Sequence, residues 1–292
     1  MRISQGIGVR GGLIGLAAAV LLLAGCGEKA GRGPAGRSAR RVVCATPAVA
    51  EIVFALGCGD RVAGVSEFTE WPPEAAAKPQ IGGALNPNRE RLLRLEPDLI
   101  LSQGKSEALG SFAHSQSIAF LSLPLDTLDD LRAAIAGFAA ALGVAEQGRA
   151  LLAEMESGFA AIPSCGPVPV FIALGHAPGD LSGLMTAGPD TFLDELVEKA
   201  GGSNVFSDVQ ILWPKISQEA LIRRQPALLL DFQEGPADEA RRAALVADWA
   251  RLGFRPEQVR LLTEDHLLKP GPRAAQSAAR LAEAICGREA AE

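Results

Sequence analysis

Short apolar runs alternate with amphipathic segments in the first part of the chain, and this alternation predicts strands separated by helices. The runs with the character of buried strands lie at 41–45, 61–65, 99–101 and 117–123. Residues 49–56 carry apolar side chains at helical spacing and are followed by Gly57, a residue that helix C-termini favour. Strands and helices that alternate in this way predict a parallel sheet covered on both faces.

A long helical segment follows this region. Thr127-x-x-Asp130 resembles a capping box, in which a side chain and the acid three residues later satisfy helix N–H groups. From 128 to 162 the chain is rich in Ala, Leu and Glu, with an interruption around Gly143, so we predict helices there. Strand patterns return at 168–174.

The second part of the chain repeats the first. Residues 90–101 align with residues 219–230 through a shared acid, apolar pair, arginine, proline and strand. Residues 51–57 parallel residues 195–201, and both segments begin with glutamate and end with glycine. Two matches in the same order predict a duplicated α/β lobe. Because ligands of open α/β sheets bind beyond the carboxyl ends of the strands, two such lobes would enclose a cleft.

The N-terminus has the pattern of an export signal. Arg2 and Arg10 make it positive, and residues 13–24 are apolar, which is short for a membrane span but typical of a signal-peptide core. The run ends in Leu-Ala-Gly-Cys at Cys26, which resembles a bacterial lipoprotein signal that is cut before a lipid-bearing cysteine. An ordinary secretory signal with an incidental cysteine is the alternative.

These patterns divide the chain into five parts. Residues after Cys26 are rich in Gly, Pro, Ala and charge, without apolar periodicity, and therefore predict a flexible tether. The predicted parts are a signal peptide at 1–25, a lipidated tether at 26–40, a first lobe at 41–126, a helical segment with the interlobe helix at 127–163, and a second lobe at 164–287.

Composition narrows the class of protein. The net charge of −6 argues against a nucleic-acid partner, and a hydrophobic content of 48% supports a real core. Export would place the cysteines in an oxidising space, where disulfides are allowed. The sequence fixes no pairing among Cys44, Cys58, Cys165 and Cys286, and buried free thiols remain the alternative.

Catalytic and metal-binding patterns are missing from the sequence. It contains no Gly-x-Ser-x-Gly elbow, and Gly104-Lys105-Ser106 lacks the first glycine of a phosphate loop. The histidines, His114, His176 and His266, are scattered without metal-ligand spacing, and each alone is more often a surface or packed residue. We therefore predict a protein that performs no reaction and holds no metal or cofactor of its own.

The chain resembles the helical-backbone class of ABC-importer binding proteins, which take cobalamin, ferric siderophores or haem. The resemblance covers roughly residues 41–286. Its markers are Thr46-Pro47 with Glu51, Ala55-Leu56-Gly57, Gly64-Val65-Ser66, Pro72-Pro73-Glu74, Gly82-Gly83, Asn86-Pro87-Asn88, Glu90, Pro97-Asp98-Leu99-Ile100-Leu101, Thr186-Ala187-Gly188, Gly201-Gly202-x-Asn204-Val205-Phe206, Trp213-Pro214-x-Ile216-Ser217-x-Glu219 and Pro270-Gly271-Pro272-Arg273.

The resemblance implies an architecture and partners. It implies an α/β protein of two Rossmann-like lobes with mainly parallel sheets, joined by one long helix around residues 144–162, with the ligand cleft between the lobes. It also implies an exported, membrane-anchored monomer on the periplasmic or cell-surface side that serves a permease and its ATPase. An enzyme or sensor built on the duplicated lobes is the alternative from another class.

The resemblance assigns Glu90 and Glu219 to docking. In this class an acid on each lobe contacts arginines of the permease, and these two glutamates match those positions. The alternative is that each only complements a helix N-terminus, after Asn88 and Ser217.

The resemblance is closest to the cobalamin-binding branch and implies a set of ligand contacts. Phe68, Trp213, Asp265 and Lys269 match contacts of that branch. Met185 stands where that branch often has an aromatic, and Trp71, which lies nearby, completes the predicted set. Aromatic walls with a few polar groups suit a corrin, a broad apolar macrocycle edged with amides, but they would also suit a haem. Around Ala84-Leu85 the chain lacks the aromatic that this branch often has. A ferric siderophore or haem is the alternative ligand, and core packing is the alternative role for Phe68 and Trp213.

Overall fold

The computed structural model describes residues 39–83, 85–163 and 165–287. The predicted signal peptide, Cys26, most of the tether and Ala84 lie outside these ranges. The first lobe contains β1 (Val42–Cys44), α1 (Pro47–Ala55), β2 (Val62–Val65), α2 (Pro73–Ala76), α3 (Arg89–Arg94), β3 (Leu99–Gln103), α4 (Glu107–Ser115) and β4 (Ala119–Leu123).

Two helices connect the first lobe to the second. They are α5 (Leu128–Leu142) and α6 (Ala145–Ala160). The second lobe contains β5 (Val168–Leu174), β6 (Leu184–Met185), α7 (Phe192–Lys199), β7 (Gly202–Asn204), β8 (Lys215–Ile216), α8 (Gln218–Arg224), β9 (Leu228–Phe232), α9 (Glu239–Arg251), β10 (Val259–Leu262) and α10 (Ala274–Cys286). None of the helices in the described ranges combines the length and the hydropathy that a membrane crossing requires.

The two lobes have the same sheet topology. The first sheet has the order β2-β1-β3-β4 and the second has the order β7-β5-β9-β10, and all neighbours in both sheets are parallel. Leu101 pairs with Cys44 on the first central strand, and Leu230 pairs with Ile172 on the second. Residues that the repeat aligned therefore occupy equivalent positions, which confirms the predicted two-lobed α/β fold.

Side-chain caps define where several helices begin. The Thr127 hydroxyl accepts from the Asp130 N–H at 3.0 Å, and the Asp130 carboxylate accepts from the Thr127 N–H at 3.2 Å. The predicted capping box of α5 is therefore confirmed. Thr46 and Thr191 cap α1 and α7 in the same way, by accepting from the N–H three residues later. The first helices of both lobes thus begin with the same device.

The helix α6 bridges the lobes through close contacts at two glycines. It begins after Gly143, which ends α5 in the left-handed conformation with φ 71°. A Cβ at Gly148 would lie 2.6 Å from the Cβ of Ala139 in α5, and a Cβ at Gly158 would lie 2.7 Å from the Cβ of Ala275 in α10. Larger side chains would push these helices apart. The 16 residues of α6 span about 24 Å, enough to reach from the first lobe to the second.

One disulfide closes the second lobe. Cys165, just before β5, is bonded to Cys286 at the end of α10, and their Cα atoms are 5.8 Å apart. Cys44 and Cys58 remain buried thiols, and burial raises the pKa of both. The structure thus selects one of the pairings that the sequence left open.

Candidate functional site

The carboxyl ends of β1 and β2 surround a cavity of about 300 Å³ in the first lobe. Its lining includes Thr46, Glu67, Phe68 and Leu85. Phe68 has a positive φ of 61° and is 74% exposed, so its ring projects from the loop after β2 rather than packing in the core. The structure therefore argues against core packing as the role of Phe68.

A short β-ribbon in the second lobe carries two of the predicted ligand contacts. The two-residue strands β6 and β8 pair antiparallel, with Met185 opposite Lys215. The Gly188 N–H donates to the Leu212 carbonyl at 2.8 Å, and a Cβ at Gly188 would collide with the Ile211 carbonyl. Both predicted contacts on this ribbon, Met185 and Trp213, are partly exposed. Exposed apolar side chains that cluster in this way are typical of a binding surface.

A buried amide fixes the segments on either side of that ribbon. The Asn204 side chain donates to the Ala187 carbonyl at 2.9 Å and to the Asp194 carboxylate at 2.7 Å, and it accepts from the Phe206 N–H. Burial raises the pKa of Asp194 to about 6, although the Asn204 donor opposes the shift. Asn204 was a marker of the resemblance, but no local pattern in the sequence indicated this network.

Three of the predicted ligand contacts come together around Arg273. The Arg273 guanidinium lies 5.0 Å from the centre of the Trp71 ring and 3.9 Å from the Asp265 carboxylate. Lys269 pairs with Asp265 at 2.7 Å. Burial opposes ionisation of Asp265, but the neighbouring cations outweigh it and hold the pKa of this carboxyl below its usual value. Trp71 belongs to the first lobe and Arg273 to the second, so this group lies between them.

The six predicted ligand contacts all follow the carboxyl end of a sheet strand. Phe68 and Trp71 follow β2, Met185 lies beyond β5, and Trp213 lies beyond β7. Asp265 and Lys269 follow β10. All six therefore lie in chain segments that leave the carboxyl ends of parallel strands, which is where such sheets bind ligands. Whether they contact a ligand stays a prediction.

A buried histidine supports the loop that leads to the ribbon. His176 follows β5, has a side chain only 3% exposed, and donates from Nε2 to Asp231 Oδ2 at 3.0 Å. Trp249 donates to the same oxygen at 2.8 Å, and Asp248 lies 3.7 Å from His176 Nδ1. Burial lowers the pKa of His176, but Asp231 and Asp248 outweigh it and the pKa is raised overall. The structure therefore supports a packing role for His176 rather than a metal-binding role.

Metal ligation finds no support in the described ranges. No three His, Cys, Asp or Glu side chains among these residues are grouped so that they could hold a metal ion. His114 is exposed on α4.

The two predicted docking glutamates occupy equivalent positions on equivalent helices. Glu90 is the second residue of α3, which Asn88 caps, and Glu219 is the second residue of α8, which Ser217 caps. Both glutamates are exposed. Hydrogen bonds from its own N–H and from Ser217 lower the pKa of Glu219. This geometry suits a helix N-terminal acid and leaves both carboxylates exposed, with Glu90 in a surface ion pair with Arg94 at 2.6 Å.

Comparisons with known proteins identify relatives with one kind of role. The model of the family described as "Periplasmic binding protein" matches residues 42–231. A vitamin B12-binding protein of Pectobacterium atrosepticum is 30% identical over 206 residues, which cover 65% of this chain and 71% of that protein. These relatives are binding proteins, and the chain is a binding protein rather than an enzyme.

Solved structures of the same kind share the fold. The apo periplasmic haem-binding protein from Roseiflexus sp. RS-1 superposes with a TM-score of 0.70 at 27% identity, covering 85% of this chain and 98% of that one. The periplasmic vitamin B12-binding protein of Vibrio cholerae superposes with a TM-score of 0.67 at 22% identity, covering 86% and 99%. The fold of the described lobes is thus the fold of these binding proteins.

The raised pKa of His176 predicts a pH dependence of stability. A raised pKa in the folded state means that His176 stabilises the protein below its unfolded pKa of about 6.5, and that this contribution is lost as the pH rises through the folded pKa. In urea unfolding between pH 6 and 8.5, the stability difference between wild type and His176→Gln should shrink as the pH rises. A His114→Gln control should show no such trend, and a pH-independent effect of His176→Gln would contradict the assignment.

Proposed function

The chain belongs to the periplasmic binding protein family, and from that premise we propose that it captures cobalamin or a related corrinoid and delivers it to an ABC importer. The observation that carries the ligand proposal is the exposure of four large apolar side chains in segments that follow strands of the two sheets. We propose that Phe68 and Trp71 form one wall of the cleft and that Met185 and Trp213 form the other. Broad flat apolar surfaces of this kind suit a macrocycle.

The paired charges around Trp71 favour a neutral ligand edge on that side of the cleft. Arg273 is bonded to the Glu51 carboxylate at 2.7 Å, and Lys269 is bonded to Asp265. Cations that are already paired are less available to the propionates of a haem or the carboxylates of a siderophore, because a ligand acid would have to displace the protein's own carboxylate. The amides of a corrin edge carry no charge and can hydrogen-bond to such pairs. The names of the relatives, a vitamin B12-binding protein among them, agree with this choice.

A haem is the rival ligand, and one side chain favours it. Met185 exposes a thioether on the cleft ribbon, and methionine is a known axial ligand of haem iron. The similarity to the haem-binding protein of Roseiflexus points the same way. The sequence contains no tyrosine, which removes another common haem ligand.

Calorimetric titration of the soluble protein that begins after Cys26 tests the ligand. Cyanocobalamin should bind at micromolar affinity or tighter, about −8 kcal/mol or more favourable. Trp213→Ala should weaken binding about tenfold or more, because it removes an aromatic wall. Ile222→Ala is the matched control, since both side chains are 45% exposed but Ile222 lies on α8.

Two results would contradict the corrinoid proposal. If the protein binds haem or a ferric siderophore but not cyanocobalamin, the ligand is the rival one. If Trp213→Ala and Ile222→Ala weaken binding equally, the ribbon does not contact the ligand.

Delivery to the importer is proposed to depend on Glu90 and Glu219. The internal repeat places these exposed carboxylates on equivalent helices, so a partner with two equivalent basic sites could contact both. Carboxylate–arginine pairs of this kind fix orientation and speed association. Leu93 and Ile222, three residues further along each helix, are also exposed and extend the equivalence.

Uptake measurements separate docking from ligand capture. Glu90→Ala/Glu219→Ala should reduce uptake of labelled cobalamin at least tenfold in cells and leave its affinity for the purified protein unchanged. Glu146→Ala/Glu239→Ala is the matched control, because both residues are exposed acids in the first turns of other helices. Unchanged uptake would show that Glu90 and Glu219 act only as helix N-terminal acids. A large loss of ligand affinity would instead show that they line the cleft.

The anchor is proposed to be a lipid on Cys26, which holds an exported protein at a membrane. A stable anchor requires more than one acyl chain. The full-length protein should fractionate with membranes, and Cys26→Ser should release it or leave it uncleaved. Cys58→Ser is the matched control and should remain in the membrane fraction. Recovery of the mature wild-type protein in the soluble fraction would instead support an ordinary secretory signal.

A further inference from the structure

The repeated glutamates Glu51 and Glu195 each contact the other half of the molecule. Glu51 lies on α1 of the first lobe, yet its two carboxylate oxygens accept from Arg273, 222 residues away, at 3.0 and 2.7 Å. The Glu51 side chain is 3% exposed. A bidentate pair at such burial is strong and directional, because little water competes for either partner.

The second glutamate makes a corresponding contact. Glu195 lies on α7 of the second lobe, and its carboxylate accepts from the N–H of Leu128, the first residue of α5. Close by, the Phe192 N–H donates to the Asp126 carbonyl. The helix α5 packs on β4 and α1 of the first lobe. The start of α7 is therefore bound to the end of the first lobe.

The two contacts are related by the internal repeat. The helix α5 follows β4, the last strand of the first sheet, as α10 follows β10, the last strand of the second. Arg273 is the residue directly before α10, so each glutamate contacts the N-terminal end of the helix that follows the last strand of the other lobe's sheet. Carboxylates are favoured at that end of a helix. The lobes are thus joined by two equivalent contacts in addition to α6.

The Glu51 contact also reaches the cleft. Arg273 lies over the Trp71 ring, and guanidinium groups are attracted to the faces of indoles. The backbone before Arg273 approaches closely as well, since a Cβ at Gly271 would lie 3.3 Å from a Glu51 carboxylate oxygen. A change at Glu51 or Arg273 would therefore be felt at Trp71.

We propose that Glu51–Arg273 and Glu195–Leu128 form an interlobe clasp, and that Arg273 is a positioning residue that holds Trp71 in the cleft wall. The clasp fixes the separation of the lobes before ligand arrives. The part that concerns ligand rests on the proposed function, because it requires Trp71 to contact the ligand. The part that concerns lobe separation does not.

Interlobe distances test the clasp without any ligand. Spin labels at Ser111→Cys on α4 and Ala243→Cys on α9 report the separation by pulsed dipolar spectroscopy, since both positions are exposed and on different lobes. In the protein that begins after Cys26, the remaining native thiols, Cys44 and Cys58, are buried. The parent should give one narrow distance distribution, and Arg273→Gln should broaden or shift it.

An ion pair of α10, the helix that Arg273 precedes, supplies the matched control. Arg280 on α10 bonds Glu264 at 2.6 Å within the second lobe, so Arg280→Gln should leave the distribution unchanged. An unchanged distribution in Arg273→Gln would overturn the clasp. If circular dichroism shows that Arg273→Gln does not fold, Glu51→Gln/Arg273→Gln is labelled instead, because it leaves no buried carboxylate without its cation. The same criterion then applies.

Ligand kinetics test the positioning role. Cyanocobalamin should bind Arg273→Gln at least tenfold more weakly, mainly through faster dissociation, and Arg273→Lys should recover only part of the loss because it cannot bond both oxygens. Unchanged affinity in Arg273→Gln would overturn the positioning role. If the parent protein itself does not bind cyanocobalamin, the proposed function fails, and the distance measurement still decides the clasp.

Discussion

The close packing of α6 against helices of both lobes holds the two parallel sheets in a fixed relation. Gly148 and Gly158 permit this packing, because side chains at either position would meet Ala139 or Ala275 at less than van der Waals distance. The direction of the strands then determines from which edge of each sheet the loops with the proposed ligand contacts leave. Every loop that carries a proposed ligand contact leaves the carboxyl end of a parallel strand, so fixing the sheets also fixes the walls of the cleft.

The internal repeat places glutamates at equivalent positions in the two lobes. Equivalent helices carry Glu90 and Glu219 at their second positions, and equivalent helices carry Glu51 and Glu195 toward the opposite lobe. The first pair is exposed, with Glu90 paired to Arg94 at the surface, whereas Glu51 is buried and bonded to the other lobe. One repeat thus supplies both the proposed docking acids and the proposed clasp.

Local patterns were sufficient to predict much of the fold. The capping box of Thr127, the apolar runs and the aligned segments depend on residues close in sequence, and the structure confirms the two-lobed architecture that they imply. The two-residue strands β6 and β8 are too short to show periodicity, so the ribbon that carries Met185 was not predictable from pattern. Pairings across long separations were equally hidden. Nothing near Glu51 or Cys165 in sequence indicates Arg273 or Cys286 as its partner.

The candidate ligand contacts came from resemblance rather than from pattern, and the structure adds the reason for their arrangement. Trp71 and Asp265 lie on different lobes but share Arg273 as a neighbour, which links the aromatic wall to the polar edge. Because Arg273 and Lys269 are already paired with acids, the polar edge suits uncharged ligand groups such as amides. The proposed site therefore combines two apolar walls with an edge of paired charges around Trp71.

A crystal structure of the soluble protein with cyanocobalamin tests the central claim most directly. The account predicts the corrin ring between the two walls, with Trp71 or Phe68 on one side and Trp213 or Met185 on the other within about 4 Å, and with the Glu51–Arg273 bond intact. A corrin bound outside this cleft, or none bound at saturating ligand, would contradict it.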